Sequence, residues 1–201
     1  MFTGIISFQL TVTRVSSGHQ LVTVMVNKPT SLRVKSGDSI ALNGICTTVV
    51  RAKKNEMVFE FMPETRARTT VKLWKRGTIL NAEQSLLPVT PLNGHLLMGH
   101  IDDVGTIRNI EKQGASRVMR IDVPKKYSAL IASKGCVAVD GVSLTVIDKY
   151  SGSFTVGLIP YTLQHTTLGA VAVGEKVNIE FDLLAKYLKE IVSKRFLSSR
   201  T

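Results

Sequence analysis

Ser39-Ile40-Ala41-Leu42-Asn43-Gly44-Ile45-Cys46-Thr47-Thr48-Val49 and Cys136-Val137-Ala138-Val139-Asp140-Gly141-Val142-Ser143-Leu144-Thr145-Val146 are one pattern written twice, 97 residues apart. Each is a pair of short β-branched runs on either side of Asn-Gly or Asp-Gly. Those dipeptides accept positive φ at both central positions of a tight hairpin, so each stretch predicts two antiparallel strands joined by a two-residue turn. Working outward, Gly37–Glu83 lies over Lys134–Glu180 without a gap, and 11 of the 47 pairs are identical. Ordinary amino-acid usage gives about three by chance. The identities include Gly44/Gly141, Pro63/Pro160, Thr65/Thr162, Thr69/Thr166, Thr70/Thr167, Asn81/Asn178 and Glu83/Glu180. Upstream, Gly4-Ile5-Ile6 pairs with Gly99-His100-Ile101 at an offset of 95, a two-residue change in loop length. The chain is an internal duplication.

Both copies read as β. Leu10–Val15, Leu21–Val26, Ser39–Leu42, Cys46–Val50 and Met57–Phe61 are strand-like in the first; Val118–Val123, Val137–Val139, Ser143–Ile147 and Phe154–Ile159 are strand-like in the second. Glu64–Val71 and Tyr161–Leu168 lack alternation and predict a helical turn or two. Short, evenly spaced strands favour a small closed barrel over a sandwich. The predicted class is all-β: two similar antiparallel barrels at 1–90 and 95–182, joined through Leu87–Gly94, then a helix and tail at 183–201. In that tail Leu184, Leu188, Ile191 and Val192 follow helical spacing, with Lys186, Lys189, Glu190 and Lys194 elsewhere on the wheel. Such a helix either packs back on the chain or joins an oligomer.

Composition excludes several classes. With 201 residues and 44% hydrophobic content the chain has material for two cores. The net charge of +11 invites an anionic partner or reflects a basic surface. Nucleic acid is disfavoured, because aromatic residues are 6% of the chain and the basic clusters are not interleaved with a stacking platform. Two cysteines 90 residues apart form neither a disulfide framework nor a zinc pattern. No run approaches the roughly 20 apolar residues of a membrane span, and Met1–Leu10 lacks the features of a signal peptide. A cytoplasmic protein with reduced thiols is expected. No phosphate loop, metalloprotease helix, nucleophile elbow or dinucleotide fingerprint occurs.

Function is therefore sought where the copies differ. Cys46 faces Ser143 in the alignment, Ser39 faces Cys136, Ile5 faces His100, and Ser85 faces Asp182. Each has a plain alternative: a small buried thiol, a structural histidine, and, for Asp182 ahead of the tail helix, an N-cap.

These residues resemble the riboflavin synthase family. The likeness runs through Met1-Phe2-Thr3-Gly4-Ile5, the Ser39–Val49 hairpin, Gly94-His95, Gly99-His100-Ile101-Asp102, Asp140–Val146, Ile159-Pro160 with Thr162, Thr167 and Leu168, and Val177-Asn178-Ile179-Glu180 followed by Asp182–Tyr187. It covers essentially the whole chain in order.

The resemblance implies six-stranded Greek-key barrels and a homotrimer held partly by C-terminal helices, its active site lying between barrels of different subunits. It implies dismutation of two 6,7-dimethyl-8-ribityllumazine molecules by four-carbon transfer, with no cofactor or metal. By the same resemblance Cys46 is a nucleophile or polar activator assisted by Ser39, and His100 is an acid/base with Thr145 and Asp182 nearby. Substrate contacts are expected from Gly4, Ile5 and Ile6; Cys46, Thr47 and Thr48; Glu60, Phe61, Met62, Pro63, Glu64 and Thr65; Gly99, His100 and Ile101; Lys134; Ser143, Leu144 and Thr145; and Leu158, Ile159, Pro160, Tyr161, Thr162 and Leu163.

The chain departs from the family pattern at Thr47, where a leucine is usual, at Asn93, at Gln84 and over Ser7–Thr11. The competing reading is a lumazine- or flavin-binding module without catalysis.

Overall fold

The sequence repeat is a structural repeat. The computed structural model describes residues 1–18 and 20–198. The first copy holds β1 (Phe8–Ser17), β2 (Val22–Asn27), β3 (Ser39–Leu42), β4 (Ile45–Thr48), β5 (Arg51–Ala52), β6 (Glu56–Phe61), α1 (Pro63–Arg68), a 3-10 turn and β7 (Ile79–Gln84). The second holds β8 (Asp103–Gln113), β9 (Ser116–Asp122), a 3-10 turn (Lys125–Leu130), β10 (Cys136–Val139), β11 (Val142–Tyr150), β12 (Ser153–Leu158), α2 (Pro160–His165), a further 3-10 turn and β13 (Lys176–Phe181). A last helix, α3 (Leu183–Ser198), follows; residues 199–201 of the expected tail lie outside the described residues.

Strand alternation separates the faces. On β2, Val22, Val24 and Val26 point into the first core, beside Leu10, Phe59 and Leu80. Ile121, Val137, Phe154 and Ile179 fill the second.

The second copy is a closed six-stranded barrel, β10-β11-β12-β9-β8-β13. Three hairpin-linked strands return to β9, which is Greek-key order. The first copy follows the same order but opens: its sheet has seven strands, β4-β3-β7-β1-β2-β6-β5. Its two ends are halves of one strand. In the second copy β11 bends through a bulge between Val146 and Lys149 and stays continuous. In the first copy the chain breaks at the equivalent Val49-Val50, and Val50 N–H still donates to the Val58 carbonyl at 2.9 Å across the gap. The expected six strands thus appear as seven through an interruption, with the topology unchanged.

Repeated residues do repeated work. Pro63 and Pro160 occupy first-turn positions of α1 and α2, where a missing N–H costs nothing. Thr69 and Thr166 end those helices by donating to the carbonyls of Thr65 and Thr162 at 2.6 and 2.7 Å, and each hydroxyl also accepts an N–H of the turn that follows.

The remaining identities build the seam between barrels. Asn43-Gly44 and Asp140-Gly141 turn with φ of 44° and 78°, and of 45° and 77°. The two tips touch: a Cβ on Gly141 would lie 2.6 Å from Gly44 N. Around them Asn81 donates to the Asp140 carbonyl at 3.0 Å and accepts from Thr167 N–H at 2.8 Å. Asn178 does the same with the Asn43 carbonyl at 2.9 Å and Thr70 N–H at 2.8 Å. Phe2, Ala41, Leu97 and Ala138 form a small buried cluster in the same seam. Each barrel thus completes the hydrogen bonding of the other.

Candidate active site

Each barrel is finished by the leader of the other copy. Thr3 N–H and Gly4 N–H donate to Glu83 at 2.7 and 2.9 Å, within the first copy, while Gly4 C=O accepts from Ser143 N–H at 2.9 Å. Ile6 then packs on the second core. In mirror fashion Met98 N–H and Gly99 N–H donate to Glu180 at 2.8 and 3.0 Å, Gly99 C=O accepts from Cys46 N–H at 2.8 Å, and Ile101 packs on the first core. Burial raises both carboxyls above the usual carboxylate range, opposed by these N–H donors. The Glu83/Glu180 identity was visible in sequence; its role as a clasp on a distant leader was not.

The exchange makes two half-sites. In the first, Cys46, Glu64, Thr65, Gly99, His100 and Ile101 line one cavity of about 420 Å³. The Cys46 and His100 side chains are both exposed. Ser39 lies across the ladder from Thr48 on the same outward face, and Cys46 lies across from Ala41. Partial burial pushes the Cys46 thiol above its ordinary range, with the amino terminus pulling it down and Glu180 pushing it up. At neutral pH it is therefore a protonated thiol that can donate a hydrogen bond.

In the second half-site Thr145 lies opposite Cys136, and Ser143 opposite Ala138. Asp182 caps α3, accepting from Leu184 N–H at 2.9 Å. Its charge also raises Cys136, already raised by burial, and opposes the burial that lowers His95. His95, of the Gly94-His95 motif, is a further polar residue here that comparison of the copies does not single out. It is buried, its Nδ1 lies 2.7 Å from Ser143 Oγ, and its Nε2 has no hydrogen-bond partner among the described residues.

Of the five residues expected at the chemistry, Cys46 and His100 line one cavity, Ser39 lines a separate hollow of about 510 Å³ with Thr3, Ile5 and Glu83, and Thr145 and Asp182 sit on the second barrel. Other expected contacts divide by strand alternation. The Thr47 hydroxyl donates to the Ile40 carbonyl at 2.8 Å inside the barrel. Leu144 and Leu158 lie in the second core, and Phe61 packs edge-on against Trp74 in the first. Glu60, Thr48 and Pro63 are exposed, as are Ile5, Met62, Ile159, Pro160 and Tyr161; Thr162 and Leu163 are half-buried on α2. Lys134 is exposed in the turn two residues before β10, with φ of 66°. A further cleft of about 580 Å³ lies elsewhere, between Leu73, Trp74 and Ile79 of one copy and Ala170, Val171 and Lys176 of the other. It contains none of the expected site residues.

Two like barrels, each bonded to the leader of the other copy, with a small-molecule-sized hollow where Cys46 meets Gly99–Ile101, define a tandem-barrel protein. The lumazine binding domain matches twice, over residues 3–85 and 98–182. The riboflavin synthase of Photobacterium phosphoreum is 39% identical over 194 residues, covering 96% of this chain and 89% of that protein. The Bacillus subtilis riboflavin synthase is 33% identical over 195 residues, covering 96% and 91%. LumP complexed with 6,7-dimethyl-8-(1'-D-ribityl) lumazine has the same fold, with a TM-score of 0.82 at 23% identity, covering 90% of this chain and 99% of that one. The chain belongs to the riboflavin synthase family, transferases of riboflavin biosynthesis.

Proposed function

We propose that each half-site holds one 6,7-dimethyl-8-ribityllumazine and that four carbons pass from one molecule to the other, giving riboflavin and 5-amino-6-ribitylamino-pyrimidinedione. The observation that carries this reading is the pair of half-sites built alike and equipped differently: Cys46 and His100 in one, Ser143 and Asp182 in the other. A dismutation needs two molecules of one substrate in distinct roles, and related but unequal pockets supply them.

The chemistry starts with loss of a proton from the 7-methyl group, leaving a carbanion spread over the ring. His100 is the proposed acid/base. The Cys46 thiol, assisted by Ser39, polarises the facing ring as a hydrogen-bond donor. Thr145 and Asp182 orient the partner molecule, and paired threonines and backbone groups near the hairpins receive the ribityl hydroxyls. Holding both rings in register turns a bimolecular encounter into an effectively unimolecular step.

The two faces belong to different barrels, and within one chain the Phe2–Ala41–Leu97–Ala138 cluster fills the seam between them. The proposed site therefore pairs the first half-site of one subunit with the second of another, in a homotrimer. The exposed stripe of Leu184, Leu188 and Ile191 on α3 supports such an assembly. Two free cysteines fit a cytoplasmic setting, and no described helix is long and apolar enough to cross a membrane.

Incubation with 6,7-dimethyl-8-ribityllumazine tests the reading. Riboflavin absorbance should grow as lumazine is consumed, one riboflavin per two substrates. Binding without riboflavin would leave the ligand-binding alternative.

A further inference from the structure

We propose that Lys186, through Asp102, is a positioning residue for His100, tying the geometry of the first half-site to the docking of α3. The proposal rests on the reading of that cavity as a substrate half-site.

The segment Gly99–Asp102 is fixed at both ends. At its start Gly99 is held by Glu180 and by Cys46 N–H. At its end Asp102 is bound wholly to the second barrel and α3. Its N–H donates to the Ile179 carbonyl at 2.9 Å, its carbonyl accepts from the Tyr127 hydroxyl at 2.9 Å, and its Oδ2 accepts from Phe181 N–H at 2.8 Å. Lys186 Nζ reaches the same Oδ2 at 2.6 Å. The two side chains are 26% and 19% exposed, so this pair is more sheltered than an ordinary surface ion pair. Ile101 is anchored in the first core. Between these anchors stands His100, exposed at the cavity.

Lys186 lies on the docked side of α3, next to Ala185, which packs on the second core; Leu184, Leu188 and Ile191 remain exposed. Lys186 also draws down the carboxyl of Glu180, which burial raises. One cation thus acts on the clamps at both ends of the segment.

The duplication supplies a control. In the first copy Ser7 stands at the position of Asp102, Val89 at that of Lys186, and Ile5 at that of His100. The backbone link is kept, Ser7 N–H donating to the Ala82 carbonyl at 3.1 Å. The charged clamp exists only in the copy whose leader carries the histidine. A clamp needed merely to seat a leader would be expected in both.

The test is steady-state riboflavin formation by Lys186→Met, Lys186→Arg and Asp102→Asn in the full chain. Lys186→Met should lower kcat about tenfold, the cost of a slightly misplaced catalytic group, with KM within twofold. Lys186→Arg should recover most of the rate. Asp102→Asn keeps an acceptor for Phe181 N–H, so it should fold, and it should lose kcat to the same degree. The double variant Asp102→Asn/Lys186→Met should lose no more than either single one. In a His100→Ala background Lys186→Met should have no further effect. Unchanged kcat in Asp102→Asn, or an equal loss with and without His100, overturns the proposal; Asp102→Asn decides even if Lys186→Met fails to fold. A His100→Ala variant of full activity would instead overturn the assignment of the half-site.

Discussion

Gly4-Ile5-Ile6 and Gly99-His100-Ile101 occupy equivalent places, each clasped by a glutamate of its own copy and hydrogen-bonded to a strand of the other. Their glycines and distal isoleucines match, and the residue between them does not. What must be matched is what closes the fold: carboxylate, glycine carbonyl and apolar anchor. What is free to diverge is the side chain turned to the cavity. The strands tell the same story, since Ala41/Ala138 and Glu83/Glu180 are kept while Cys46/Ser143 and Ser39/Cys136 differ. At these positions identity between the copies marks the scaffold and difference marks the site, although Thr48/Thr145 and Thr65/Thr162 show that some expected site positions are shared.

The comparison can be broken at the seam, where the largest effect is expected. Gly44→Ala and Gly141→Ala each place a Cβ at positive φ, under 3 Å from the facing backbone. Each should cost about 4 kcal/mol from backbone strain and overpacking together. Chemical denaturation should show near-equal losses; a loss confined to one would mean that the copies do not share the seam evenly.

A smaller effect sharpens an unequal pair in that seam. Asp140 replaces Asn43, and full burial pushes its carboxyl up to about 7, against an ordinary 3.8. A raised carboxyl favours the folded state while protonated, so its contribution is complete below about pH 4 and is lost as pH rises to about 7. Asp140→Asn keeps the acceptor for Asn178 N–H, as Asn43 does for Asn81 N–H. It should stabilise the protein by about 2 kcal/mol at pH 8 and by little at pH 4. Melting curves at the two pH values check this, and a gain that does not depend on pH would contradict it.

Much of this was legible in the sequence because it is local. Asn43-Gly44 and Asp140-Gly141 announce their turns, Val22–Val26 alternates, and Leu184, Leu188 and Ile191 mark a helix. The long β8 and the closing β7 and β13 were missed; Lys176–Phe181, for instance, is buried on nearly every residue and shows no clean alternation. The exchange of leaders was not legible either. Glu180 and Gly99 are 81 residues apart, and neither has a neighbour that signals the bond. The contacts of His95 and of the Asp102–Lys186 pair were not legible for the same reason: each gains meaning only from a residue far along the chain. Repeat comparison found the divergent positions but not which barrel would receive them.

The central claim is that divergence at the cavity, on a matched scaffold, makes the half-sites chemically unequal. The most direct measurement is riboflavin formation by His100→Ile, which writes the first copy's residue into the second. The turnover rate should fall about 100-fold or more, the usual contribution of a positioned acid/base, with an unchanged melting temperature. Turnover at the parent rate would show that the reaction does not depend on the difference between the two copies at this position.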